Sequence, residues 1–367
     1  MSYTIFTLSP GSTSTKLAVF KDDQQIFKTN VMHDPEVLKS FKEIKDQMPY
    51  RKETILTELA KAGIDLKDVD AYSAYSGGLE PAEGGIYPVN DKIIEDSLSG
   101  KINHPAILGS SLIRELAAPY GKPCYLVNPP DSDEFEDLAR FTGIKGVYRE
   151  CRVHVLNQKE CAIRYAKEIG KKYEEVNIIV THIGGGLSVA LHKNGRIVDG
   201  NDVLNGSGPM APNRTGTVPA MPIVKMCFSG KYTEKDMKNL IGKTGGLISH
   251  LGTDDTLKIE EMIANGSHYA KLVLDAMAYQ LCKEIGGYAT VAEGKVDGIV
   301  LTGGVSKSKY FCSEIEKRCA WIAPVKSYGG DFEMEALASG AIRALTGEEA
   351  VKEYTGKPIF TGFDFNA

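Results

Sequence analysis

The residues best suited to chemistry lie in turns between apolar runs. The first turn, Pro10-Gly11-Ser12-Thr13-Ser14-Thr15-Lys16, separates the apolar stretches Ile5–Leu8 and Leu17–Phe20. A turn this rich in glycine and hydroxyls leaves backbone N–H groups pointing outward, which suits an anion such as phosphate. Lys16 adds a positive point charge beside it. A hairpin with a polar tip has the same composition, so this stretch does not decide alone. A second turn, His182-Ile183-Gly184-Gly185-Gly186, ends an apolar run that begins at Asn177, and a third, Gly303-Gly304, ends the run Gly298–Thr302. Glycines at strand ends let a nucleotide approach the backbone closely. Between the last two turns lies a Gly- and Pro-rich segment, Asn205–Pro222, which carries Arg214. A loop of this length inside a compact domain is usually functional.

Other motifs lead elsewhere. Gly242-Lys243-Thr244 imitates the end of a P-loop, but Met237 stands where the first glycine belongs, so a solvated turn is the better reading. No G-x-S-x-G anchors a hydrolase triad, and Gly184-Gly185-Gly186 is not G-x-G-x-x-G. His33, His192, His250 and His268 read as surface or hydrogen-bonded histidines. Asp131, Asp133, Glu134 and Glu136 read as a solvated acidic helix start.

Elements must position these turns. Ile5–Leu8 and Leu17–Phe20 form a hairpin, and Gln24–Val31 adds a strand. Asn177 onward repeats that logic: strand, glycine turn, strand Leu187–His192, the hairpin signal Asn194-Gly195, and Arg196–Val198. Two halves of related topology follow, each presenting a phosphate-facing turn. Val69–Tyr75 reads as a buried strand running into Ser76-Gly77-Gly78, and Pro123–Val127 as a strand broken at Asn128-Pro129-Pro130. Helical periodicity marks Asp34–Gly63, Asp91–Leu98, Ala106–Ala118, Glu134–Thr142, Asn157–Lys172, Glu234–Leu240, Leu257–Gly266, Tyr269–Glu293, Lys309–Cys319 and Glu333–Leu345. His154 lies just ahead of one of these helices.

Composition bounds the class. At 367 residues, 25% charged and 42% hydrophobic, the chain is long enough for two or three globular domains. A net charge of −5 argues against a general nucleic-acid binder. No N-terminal signal pattern and no apolar run long enough for a membrane span is evident. Seven cysteines without a C-x-x-C pair point to a reduced, cytoplasmic chain and away from zinc.

Taken together, PGSTSTK (10–16), HPAILG (104–109), HVLNQK (154–159), HIGGGLSV (182–189), GPMAPNRTGTVPA (208–220), CFSGKYT (227–233), GKTGGL (242–247), AMAYQLCKEIG (276–286), LTGGVS (301–306) and WIAPV (321–325) cover nearly the whole chain. In them the chain resembles the acetate kinase family of the sugar kinase–Hsp70–actin superfamily, and within it the butyrate and branched-chain fatty acid kinases. The resemblance implies an α/β fold of two actin-like ATPase (ribonuclease H-like) domains, with mixed sheets flanked by helices and a cleft between them that closes on ATP. The first domain would span 1–152 with 335–367, and the second 153–334. It implies reversible, in-line transfer of the ATP γ-phosphoryl to a short-chain fatty acid, giving an acyl phosphate, with Mg2+ as cofactor and a homodimer or larger homo-oligomer as the assembly. Neither nucleic acid nor membrane is an expected partner.

By the same resemblance, Arg214 and His154 stabilise the transferred phosphoryl, and His182 with Gly184, Gly185 and Gly186 contacts ATP phosphates. An arginine grips a phosphoryl group with a planar fork, and histidines donate to its oxygens. His104 is a further active-site histidine. Gly11, Ser12, Thr13, Ser14 and Lys16 form the other phosphate turn. Gly303 and Gly304 flank the adenosine, with Asp255 near the ribose or adenine. Glu335 orients magnesium through water, with Glu333 as the alternative register. Three positions depart from the family pattern: Ser9 replaces an asparagine, Ser76 an arginine, and Asn128 the metal-anchoring aspartate. A diverged nucleotide-binding member with weak or lost turnover is therefore the alternative reading, and another kinase or ATPase of the superfamily a third.

Overall fold

Strand pairing begins at once in the structure, a computed structural model that describes residues 2–365. β1 (Thr4–Pro10) and β2 (Ser14–Lys21) are antiparallel, with Ser9 opposite Lys16 and Pro10 opposite Thr15. β3 (Gln24–Met32) follows a turn at Asp22, whose φ is 54°. β4 (Ala71–Ala74) lies parallel to β1, β6 (Cys124–Val127) parallel to β4, and the short β5 (Ile86–Pro88) antiparallel to β6. The sheet order is β3-β2-β1-β4-β6-β5. Of the helices α1 (Pro35–Ser40), α2 (Met48–Lys61), α3 (Asp91–Ser97) and α4 (Gly109–Ala117), α2 and α4 bury Ile55, Leu59, Leu112 and Leu116 against Phe6, Leu8, Leu17 and Tyr72.

The plan then repeats. After α5 (Asp137–Arg140) and α6 (Val155–Glu168), β7 (Asn177–Ile183), β8 (Leu187–Lys193) and β9 (Arg196–Gly200) form an antiparallel meander. Asn194 and Gly195 both have positive φ, as a tight hairpin turn requires. Helices α7 (Ala220–Cys227), α8 (Glu234–Gly242), α9 (Gly246–Leu251), α10 (Thr256–Ala264) and α11 (His268–Val291) lead to β10 (Gly298–Thr302), parallel to β7. α12 (Lys309–Cys319) and β11 (Val325–Ser327) complete a sheet of order β11-β10-β7-β8-β9. Its core joins Ile179, Val189 and Leu301 to Leu274, Leu281 and Ile285 of α11 and to Phe311 of α12.

The final helix, α13 (Glu333–Thr346), returns to the first sheet and packs on β1, β4 and β6. The chain thus divides into two compact units: one runs to Asp133 and resumes at Phe332, and the other is Glu134–Asp331. Each is a mixed sheet flanked by helices, as expected.

Several expectations change. The helix expected over 134–142 shrinks to four residues, because the acidic segment ahead of it is buried instead of solvated. Asp131 Oδ2 accepts from the backbone N–H groups of Gly78 (2.9 Å) and Leu79 (3.2 Å). Glu134 takes Lys159 Nζ (2.7 Å) and the N–H of Ile197 (2.8 Å), which draws the chain across β9. The loop from Asn205 ends at Ala220, where α7 begins with Pro222 in its first turn, a position that tolerates proline. Strands β5 and β11 and helix α9 also went unforeseen; each is six residues or fewer and carries little periodicity.

Candidate active site

In the second unit the structure gathers His154, His182, Arg214 and the glycine turn into one constellation. His154 caps the N-terminus of α6, and His182 is the penultimate residue of β7. Their rings stack, with centroids 3.9 Å apart and planes 16° from parallel.

The hydrogen-bond network fixes both rings in one tautomer. Ser188 Oγ accepts from Gln158 Nε2 (2.7 Å) and from the His154 backbone N–H (3.4 Å), so its own proton goes to His154 Nδ1 (2.8 Å). Asn157 Nδ2 donates to His182 Nδ1 (2.9 Å) and to Thr302 Oγ1 (3.2 Å), and the Thr302 hydroxyl donates in turn to the Gly330 carbonyl. With both Nδ1 atoms accepting, both Nε2 atoms carry hydrogen. His182 Nε2 would lie 3.0 Å from a Cβ added at Gly184, so its donor faces the glycine turn. Both rings are neutral at physiological pH. Burial, then the Asp331 charge opposing it and the Arg214 charge reinforcing it, sets His182 at about 4. Burial, with His182 and Arg214 adding to it, holds His154 well below the usual range.

Arg214 lies across the turn. A Cβ at Gly186 would stand 2.7 Å from its Nη1 and 2.8 Å from its Cζ, and one at Gly185 would stand 2.6 Å from Asn213 Nδ2. Only glycine allows this approach. Arg214 Nη1 donates to the Val203 carbonyl (3.0 Å), while its Nε is buried without a partner. The Asn213 N–H donates to the Gly185 carbonyl (3.1 Å), which ties the arginine loop to the turn. The loop is held from behind by Gly245 and Gly246. Leu247 and Ile248 N–H groups donate to the Ala211 and Pro212 carbonyls (3.2 and 3.1 Å), and Gly246, at φ +58°, packs on Ala211 and Arg214. Lys243 and Thr244 are exposed, so the mock P-loop is a solvated turn whose last glycines serve the arginine loop.

Gly303 lies beside the same turn. Its φ is +89°, and a Cβ there would come within 2.5 Å of the Ile183 carbonyl oxygen. Gly304 faces open space. Asp255 is exposed and caps α10 by accepting from the Leu257 N–H (3.0 Å). Glu260 of the same helix does reach the Gly303–Gly304 segment, through Ser308.

The first unit presents its own turn. Gly11 N–H donates to the Ser14 carbonyl (2.7 Å), Ser12 and Thr13 are exposed at the tip, and Lys16 Nζ is 3.3 Å from Glu333 Oε2. Glu333 therefore meets the turn. His104 is exposed and its Nδ1 accepts from the Ala106 N–H (3.1 Å), ahead of α4. Ser76 is buried, and its Oγ accepts from the Ser110 N–H (3.1 Å), so it completes the start of α4. Asn128 is also buried, with φ 42°. Among the described residues no three His, Cys, Asp or Glu side chains cluster to hold a metal ion.

The acetokinase family model matches residues 144–343, more than half of the chain and most of the second unit. The chain belongs to the acetokinase family. Solved structures agree on the fold. The Porphyromonas gingivalis acetate kinase superposes with a TM-score of 0.76 at 20% identity, over 94% of this chain and 100% of that one. A propionate kinase from Francisella tularensis subsp. tularensis SCHU S4 gives 0.71 at 17%, over 92% and 98%. The Entamoeba histolytica acetate kinase gives 0.68 at 17%, over 87% of each chain. Both units therefore have the actin-like ATPase fold, and the family is one of carboxyl-group phosphotransferases that use ATP with Mg2+. No helix among the described residues is long and apolar enough to cross a membrane.

The residues that set the imidazole tautomers, Asn157, Gln158, Ser188 and Thr302, escaped the sequence reading as site residues. All four lie within HVLNQK, HIGGGLSV and LTGGVS, so the signal was present in the motifs.

Proposed function

We propose that this protein transfers the γ-phosphoryl of ATP to a short-chain fatty acid, butyrate or a branched relative, to form an acyl phosphate reversibly. The observation that supports it most is the pair of neutral imidazoles, each poised as an Nε2–H donor beside Arg214 on the Gly184–Gly186 turn. Phosphoryl transfer asks for positioning and for neutralisation of charge spread over three oxygens. Arg214 supplies the full charge, and its buried, unpartnered Nε is a donor awaiting an acceptor. His154 and His182 supply donors without adding two more cations to a crowded site. In this reading Arg214 and His154 hold the transferring group, His182 and Gly184–Gly186 the nucleotide phosphates, and Gly303, Gly304 and Asp255 the adenosine. Gly11–Ser14, Lys16 and His104 form the first unit's share, and Glu335 orients Mg2+ through water. The acid's carboxylate oxygen attacks phosphorus as the bond to the ADP oxygen breaks, so no protein group is covalently modified.

A hydroxamate assay with ATP, Mg2+ and straight and branched acids of two to six carbons tests this. Turnover highest with four- and five-carbon acids is expected; ATP binding without acyl phosphate from any acid defeats the enzyme reading.

The second reading, a nucleotide-binding protein with lost turnover, draws on Ser76 and Asn128. Both are buried, uncharged, and stand where the family resemblance implies an arginine and an aspartate. Asn128→Asp is compatible with the left-handed backbone there. Ser76→Arg must displace a serine that serves the Ser110 N–H, so Asn128→Asp alone is the cleaner test. A gain in turnover with this variant supports a partly disabled metal anchor.

A further inference from the structure

Behind the opening turn of the first unit lies a charge that the proposed reaction does not use. Arg51 of α2 is wholly enclosed, at 0% exposure. Its Nε donates to Gln47 Oε1 (3.0 Å) and its Nη1 to Thr15 Oγ1 (3.1 Å). Its Nη2 has no partner, and neither has Nδ1 of the buried His33. His33 Nε2 meets the same Thr15 hydroxyl at 2.8 Å. That hydroxyl accepts from Arg51. The enclosed cation and the buried imidazole beside it thus each keep one nitrogen without a partner. Burial brings Arg51 to about 10 and His33 to about 4, so at neutral pH the arginine is charged and the imidazole is not. The hydrogen bonds of Arg51 end on an amide and a hydroxyl, not on a carboxylate.

An enclosed guanidinium without a counter-ion is costly, and proteins ordinarily pair such groups. Its place suggests what the missing anion is. Thr15 lies opposite Pro10 at the mouth of the hairpin and next to Lys16. His33, from the end of β3, donates its backbone N–H to the Thr13 carbonyl (2.9 Å). Arg51 and His33 therefore grip the turn from its inner side, through Thr15 and Thr13.

We propose that Arg51 is a positioning residue for the Gly11–Lys16 turn, a cation left uncompensated by the protein so that the anion bound on the turn completes it. This rests on the proposed reading that the turn holds phosphate groups. The free protein then carries the cost of the bare cation, and ligand binding relieves it. Affinity and heat stability are coupled through one side chain that never touches the ligand.

Calorimetric titration of the full-length protein with Mg-ATP and with tripolyphosphate, alongside thermal unfolding, tests it. Arg51→Met removes the charge and keeps most of the bulk; Arg51→Lys keeps the charge. Arg51→Met is expected to be at least as heat-stable as the wild type without ligand, yet to bind both probes about 10- to 100-fold more weakly, the range for a charge acting close by at intermediate dielectric. Arg51→Lys is expected to recover most of that affinity. If Arg51→Met instead unfolds more easily and its folded fraction binds as tightly as wild type, the arginine is only structural and the proposal is overturned. If Arg51→Met does not fold, Arg51→Gln, which also removes the charge but keeps a polar end, decides: unchanged affinity overturns the proposal, and weakened binding with unaltered stability upholds it. If the wild type binds neither probe, the phosphate-turn reading itself fails and the proposal falls with it.

Discussion

Replacing Gly246 by alanine probes how the arginine loop is held. The added Cβ would fall within bonding distance of the Ala211 carbonyl oxygen and 2.7 Å from that of Arg214. Neither neighbour is a flexible side-chain tip, so the backbone must part by more than about 1 Å to restore ordinary contact. At φ +58° the alanine itself costs about 1–2 kcal/mol. Parting the loop from α9 also strains the Leu247→Ala211 and Ile248→Pro212 hydrogen bonds, at about 1 kcal/mol each. The sum is about 3–4 kcal/mol. For a unit of roughly 200 residues, at about 2–4 °C per kcal/mol, the melting point should fall by about 6–16 °C. Arg214 rides on the displaced segment, and a misplacement of about 1 Å costs about 100-fold in rate. The assay is hydroxamate formation well below the variant's melting point, with the folded fraction measured by circular dichroism. Gly242→Ala is the control: nothing lies within 4 Å of its added Cβ, so stability should stay within about 0.5 kcal/mol. Gly246→Ala with wild-type melting and wild-type kcat would refute the account of how Arg214 is positioned.

Acid should weaken both units above the range where carboxylates titrate. His33 and His182 are each lowered to about 4 by burial, so the unfolded chain binds their protons first. The stability they confer is full above about pH 6.5 and lost towards pH 4, at about 1.4 kcal/mol per pH unit per group. Thermal unfolding that stays flat between pH 6.5 and 5 would contradict their neutral burial. Gly286 and Gly287 lie inside α11 with open space where a Cβ would go, so alanine at either should raise stability by about 0.5–1 kcal/mol, read as a higher melting point. Helix α7 buries no residue of its own, and Phe228 at its end is 86% exposed; an apolar face of this kind usually meets a partner. If that partner is a second copy, Phe228→Glu should convert the oligomer to monomer in analytical ultracentrifugation, and a wild-type monomer would dispose of the idea.

What was legible in the sequence was local. The strand–glycine–strand turns at Gly11 and Gly184 declare themselves within a dozen residues, because hairpin pairing and glycine placement are short-range, and both were found where expected. The partners that give those turns their chemistry are separated by long stretches of chain. Ser188 reaches His154 across 34 residues, and Asn157 reaches Thr302 across 145. Nothing in the sequence sets Arg51 apart within its helix, since periodicity cannot tell an arginine beneath a turn from one in water. Asp131 and Glu134 misled for the same reason: a run of acids reads as solvated until its backbone N–H and lysine partners are seen. Gly245 and Gly246 were hidden behind a resemblance to a P-loop, while their task is steric.

The return of α13 to the first sheet has a consequence for biosynthesis. Residues 333–346 emerge from the ribosome after every strand of the second unit, yet they cover β1, β4 and β6 of the first. The second unit can complete its core while the chain is still growing. The first must hold an apolar sheet face uncovered until α13 has been made. A chain truncated before Glu333 should leave the second unit folded and the first open to proteases and chaperones, so α13 acts as a completion signal for the unit whose synthesis begins first.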